Sequence, residues 1–188
     1  MIRRPLAGAR GTAPAQLRVQ SLKIMKWTVA KELRWEAAHR LVGGYTGKCA
    51  HNHGHSYVAQ VVVALRPGAS LDPAGMIRDF GDFKPLRDWI EAHWDHATLV
   101  AEEDASLRAW LEANQQKYYL FPHNPTSEVI ARTLFEVASR LLNDERCVVS
   151  RVCIREPCTS EATFEGTEAV LNSGPASSTQ PDHRLLVH

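Results

Sequence analysis

Residues 49–65 read CAHNHGHSYVAQVVVAL, and this stretch decides the fold. Tyr57, Ala59, Val61, Val63 and Leu65 share one parity, the period of an extended chain with one buried face. Val58, Val62 and Ala64 make the run apolar on both faces, and Arg66-Pro67-Gly68 ends it. At its leading end His53 and His55 stand two residues apart, which on a strand places both imidazoles on one side. Two such rings can share one cation.

Working back along the chain, Trp27, Val29, Leu33, Trp35 and Ala37 repeat the two-residue period, broken by Lys31, and His39 continues it. His39 can therefore supply a third nitrogen at the end of a second strand. Zinc in a catalytic site takes about three protein ligands and keeps one position open. Cys49 lies four residues before His53, either as a fourth ligand of a closed site or as a free base beside an open one. A cupin would carry an acidic ligand soon after the second His, where this chain has SYVAQVVV; a hydrolase barrel would need a longer chain.

Working forward, PLRDWIEAHW (85–94) has Leu86, Trp89, Ile90 and Trp94 at helical spacing, with Pro85 suited to a first turn. NPTSEVIARTLFEVASRLLN (124–143) carries the stripe Ile130, Leu134, Val137, Leu141, with Asn124 or Thr126 as its cap. Strands follow over Cys147–Glu156 and around Ala162–Phe164. Without a regular βαβ alternation, the pattern predicts an α+β fold with an antiparallel sheet.

The chain has 188 residues, 44% of them hydrophobic and 23% charged, as expected of one globular domain. Its net charge of +1 supplies no field to gather nucleic acid or an anionic membrane, and no apolar run reaches a membrane span. Nucleic acid and membrane are therefore excluded as partners. Four cysteines without a secretory leader predict reduced thiols and a cytoplasmic protein. Residues 1–25 read as a disordered extension, with an organellar transit peptide as the alternative, 26–170 as the domain, and 171–188 as a flexible tail.

The ordered motifs EAAHRL (36–41), CAHNHGHSY (49–57), GMIRDF (75–80), DH (95–96), PTSE (125–128) and REPCT (155–159) resemble the 6-pyruvoyl-tetrahydropterin and 6-carboxy-tetrahydropterin synthase family over about residues 27–166. The resemblance implies the tunnelling fold, an antiparallel four-stranded sheet with two helices on one face, assembled into trimers and a homohexamer. It implies His39, His53 and His55 as zinc ligands, Cys49, Asp95 and His96 as catalytic residues, and Glu156 as the pterin anchor. Thr126 and Ser127 would add polar contacts to the ring.

The short spacing Cys49-x-x-x-His53 resembles the bacterial 6-carboxy branch. That branch converts 7,8-dihydroneopterin triphosphate to 6-carboxy-5,6,7,8-tetrahydropterin, acetaldehyde and triphosphate, towards queuosine. The alternatives are the pyruvoyl-forming reaction and a non-catalytic pterin binder with structural zinc. Three departures stand out: Trp35 where Phe is frequent, Pro157 after the anchor Glu, and a 28-residue insert, 97–124, with a helical middle.

Overall fold

A computed structural model describes residues 27–156 and 159–166. The expected extension and tail, Pro157 and Cys158 lie outside these residues. Strand β1 (Thr28–His39) pairs antiparallel with β2 (His53–Leu65) along its whole length, from Thr28 opposite Ala64 to His39 opposite His53. Beyond β2 lie β5 (Cys147–Arg155) and β6 (Glu161–Glu165), both antiparallel, with a bulge at Ser150 of β5, where the register shifts opposite Val62 and Val63.

The sheet has six strands, not four, in the order β4-β3-β1-β2-β5-β6. The two additional strands come from the insert: β3 (Ala97–Ala101) runs parallel to the end of β1, and β4 (Tyr118–Phe121) runs parallel to β3. The sheet is thus mixed, with the antiparallel part corresponding to the four strands expected. Between β3 and β4 comes helix α2 (Ala105–Ala113), where the insert's pattern placed a helix.

Helices α1 (Lys84–His93) and α3 (Ser127–Leu142) cover one face, as expected. Leu33, Trp35, Tyr57, Val61 and Val63 from the strands pack there against Leu86, Ile90, Ile130 and Leu134. Helix α2 packs on the opposite face of the β3–β4 edge, where Leu107 and Leu111 meet Val100 and Tyr118. The parity read from the sequence therefore governs the burial of β1: Leu33, Trp35, Ala37 and His39 are buried while Glu32, Arg34 and Glu36 face solvent. No helix among the described residues is long and apolar enough to cross a membrane.

Candidate metal and catalytic site

The register brings the three imidazoles together. His39 ends β1 opposite His53, and His55 stands opposite Ala37 on the same face. One ring nitrogen from each of His39, His53 and His55 lies within 4.8 Å of the others. Gly54 between the two β2 histidines faces outward, and a Cβ there would lie 3.6 Å from the Ala37 carbonyl oxygen.

Hydrogen bonds fix the orientation of two rings. His39 Nδ1 donates to the Pro125 carbonyl at 2.8 Å, and His53 Nδ1 donates to the His51 carbonyl at 2.7 Å. With each proton held on Nδ1, both Nε2 atoms are lone-pair acceptors, yet they face each other at 3.2 Å. Two acceptors at that distance repel unless a cation or a proton lies between them. His55 Nε2 is likewise buried without a hydrogen-bond partner among the described residues. Carbonyls on the far nitrogens are the usual outer support of metal-binding histidines.

Burial holds the His39 and His55 imidazoles below the ordinary histidine pKa, and the neighbouring imidazoles add to this, while Glu156 opposes it. The neutral form is the one that binds a metal. Beneath the rings Tyr57, fully buried, meets His55 and His39 edge-on and stacks on Trp35 at 5.3 Å and 8°. This aromatic floor restricts ring rotation. Tyr57 was not among the candidate residues, although it shares the parity of His53 and His55 one step further on.

Antiparallel pairing of Val58 with Arg155 carries the next residue, Glu156, alongside Tyr57. Glu156 Oε1 and Tyr57 Oη are both buried and close enough to interact, but neither reaches full hydrogen-bond geometry among the described residues. Burial, then the charge of Glu156, pushes the Tyr57 phenol far above its ordinary pKa, so it remains protonated. Cys49 sits on a single 3-10 turn, Lys48–Ala50, with a free, partly exposed thiol. Tyr45 stands beside it, its phenol pKa raised by Cys49, and its ring lies over Gly47 so closely that any Cβ there would meet its hydroxyl at 2.2 Å. Thr126 caps α3 through its Oγ1, which accepts from Val129 N at 3.4 Å, and Ser127 opens that helix; both follow Pro125, whose carbonyl holds His39.

Asp95 and His96 form a pair, with His96 Nδ1 and Asp95 Oδ2 2.8 Å apart. Asp95 Oδ1 also accepts from the Glu36 amide at 3.0 Å, and Lys117 Nζ donates to the Asp95 carbonyl at 2.7 Å. Against the raising effect of burial, the Glu36 amide and His96 hold the Asp95 carboxyl below its ordinary value. His96 has φ 55°, a left-handed conformation that costs a non-glycine residue about 1 kcal/mol and is held here by its own amide bonding to Glu36 O at 2.7 Å. His96 borders an open cleft of about 400 Å³ with Glu36, His55, Ser56, Thr98 and Lys117. Glu36 and Ser56 have the opposite parity to the three histidines, so the structure does not bring Asp95 and His96 to the imidazole site of the same chain.

The model of the family described as 6-pyruvoyl tetrahydropterin synthase matches residues 28–167. The chain belongs to the 6-pyruvoyl tetrahydropterin synthase family. Membership makes it an enzyme of the lyase class. A relative within the family, the 6-carboxy-5,6,7,8-tetrahydropterin synthase of Rickettsia bellii, is 30% identical over 129 residues, covering 67% of this chain and 91% of that protein. Two solved structures show the family fold. An uncharacterized protein from Wolinella succinogenes has TM-score 0.66 and 19% identity, with 76% of this chain and 99% of that one covered. The 6-pyruvoyl tetrahydropterin synthase of Caenorhabditis elegans has TM-score 0.54 and 24% identity, with coverages of 76% and 97%.

Proposed function

We propose that the chain is a zinc-dependent 6-carboxy-tetrahydropterin synthase, converting 7,8-dihydroneopterin triphosphate to 6-carboxy-5,6,7,8-tetrahydropterin with release of acetaldehyde and triphosphate. It acts in the cytoplasm on the route to 7-deazaguanine compounds such as queuosine. The observation that carries the metal reading is the pair of unprotonated Nε2 atoms of His39 and His53 facing each other at 3.2 Å, with the unpartnered Nε2 of His55 beside them. Three neutral imidazoles fit zinc and leave a position for substrate oxygen. Bound there, zinc supplies Lewis acidity to the side-chain hydroxyls of the substrate.

The protein's own residues do the remaining work. The Glu156 carboxylate, whose Oε1 completes no hydrogen bond among the described residues, accepts one hydrogen bond at each oxygen from the amino group and ring N–H of a pterin, fixing the ring relative to the histidines. Thr126 and Ser127 add polar contacts at the ring edge. Cys49 as thiolate takes a proton from a side-chain carbon. His96, oriented through Nδ1 by Asp95, presents Nε2 to give or take a proton at oxygen. Because that pair faces away from the imidazoles of its own chain, it serves the site of a neighbouring copy, which makes a homo-oligomer, read as a homohexamer, a requirement of the chemistry.

The carboxy product is favoured by the Cys49-x-x-x-His53 spacing and by the name of the Rickettsia bellii relative. The test is incubation of the zinc-loaded protein with dihydroneopterin triphosphate, followed by identification of the pterin and of any aldehyde. Acetaldehyde in step with 6-carboxy-tetrahydropterin is expected. Accumulation of 6-pyruvoyl-tetrahydropterin without acetaldehyde assigns the other reaction, and binding without turnover reduces the protein to a pterin binder.

A further inference from the structure

The loop from Arg40 to Asn52 carries Cys49, and packing does not hold it: its short helical turn contains no buried residue. Hydrogen bonds hold it instead. Val42 N donates to Asn124 Oδ1 at 2.9 Å, and Asn124 Nδ2 donates to the Val42 carbonyl at 3.0 Å. One amide side chain thus satisfies both backbone groups of a loop residue, as a neighbouring strand would.

Past Val42 the chain reverses at Gly43 and Gly44, with φ 73° and 89°, conformations glycine adopts freely. It returns so that Leu41 N reaches the Cys49 carbonyl at 2.8 Å. The next residue after Asn124 is Pro125, whose carbonyl orients His39. Adjacent residues therefore hold the thiol loop and a metal-ligand imidazole. Asn124 is free for this because Thr126, the other candidate cap, is the one that caps α3.

We propose that Asn124 is a positioning residue that sets the Cys49 thiol against the His39–His53–His55 site. This rests on the reading of Cys49 as the proton-transferring base. A thiol on an unpacked loop that drifts by about 1 Å loses on the order of 100-fold in rate.

The test compares the full-length, zinc-loaded protein with Asn124→Ala and Asn124→Asp. Alanine removes both bonds to Val42, whereas aspartate keeps an acceptor for Val42 N and loses the donor. In Asn124→Ala we expect kcat to fall on the order of 10- to 100-fold, with KM and zinc content unchanged. Cys49 alkylation by iodoacetamide should accelerate, and Asn124→Asp should lie between. Unchanged kcat and alkylation in Asn124→Ala overturn the proposal. So does a rate loss matched by zinc loss, which would place the effect at His39. If Asn124→Ala does not fold, Asn124→Asp is judged by the same criteria. A wild-type protein inert towards dihydroneopterin triphosphate would sink the pterin reading, while the alkylation rates still decide whether the amide holds the loop.

Discussion

His55 Nε2 completes no hydrogen bond among the described residues, whereas His39 and His53 are each tied through Nδ1 to a carbonyl. Replacing any of the three by alanine leaves two imidazoles where three could hold a metal. His39→Ala, His53→Ala and His55→Ala should each fall from about one zinc per chain to a small fraction of that, measured by elemental analysis after dialysis. Cys49→Ala should keep the metal and lose activity, and metal loss in that variant would make the thiol a ligand. Glu156→Gln replaces a two-oxygen acceptor by a group that also donates; pterin affinity should weaken by about 10- to 100-fold at constant zinc content, read by titration. The histidine triad was legible because one parity links His39, His53 and His55 to the apolar strand positions. Tyr57 and the Pro125 carbonyl were not: their roles depend on ring contacts and on a hydrogen bond spanning 86 positions.

At the scale of elements, the insert is anchored by a buried carboxylate. Asp104 accepts from Arg40 Nε and Nη2, both at 2.6 Å, and caps α2 by accepting from Leu107 N at 3.2 Å. The Arg40 guanidinium holds the Asp104 carboxyl below its ordinary pKa. A carboxyl with a lowered folded-state pKa contributes its full stabilisation above the unfolded value of about 3.9 and loses it as pH falls from there through the lower folded-state value. Asp104→Asn should therefore cost about 2 kcal/mol in urea unfolding at pH 7, with the difference from wild type shrinking towards pH 3. An equal cost at both values would exclude the ion pair as the source. The long strands and the helices α1 and α3 were readable because their periods repeat several times. Strands β3 and β4, ATLVA and YYLF, are too short to show one, and β3 is buried on both faces between its neighbours. That is why the sheet was expected to have four strands.

At the scale of the whole molecule, the three imidazoles and the Asp95–His96 pair stand apart in one chain. If copies complete one another, inactive Cys49→Ala and His96→Ala proteins should regain activity when mixed and allowed to exchange subunits. On random exchange about one site in four would have both groups intact. No recovery, with exchange verified by mass spectrometry of differently tagged chains, would place both groups in one copy's site. The β1–β2 pairing also sets an order of assembly. His39 and His53 are 14 positions apart and His55 follows at once, so a ribosome that has released Leu65 has released all three imidazoles. Closing so short a loop precedes contacts of longer range. The Glu36–Asp95 contact spans 59 positions and the His39–Pro125 contact 86, so they form later. The three imidazoles are thus gathered by the nascent hairpin, and the carbonyl that fixes the His39 tautomer arrives afterwards.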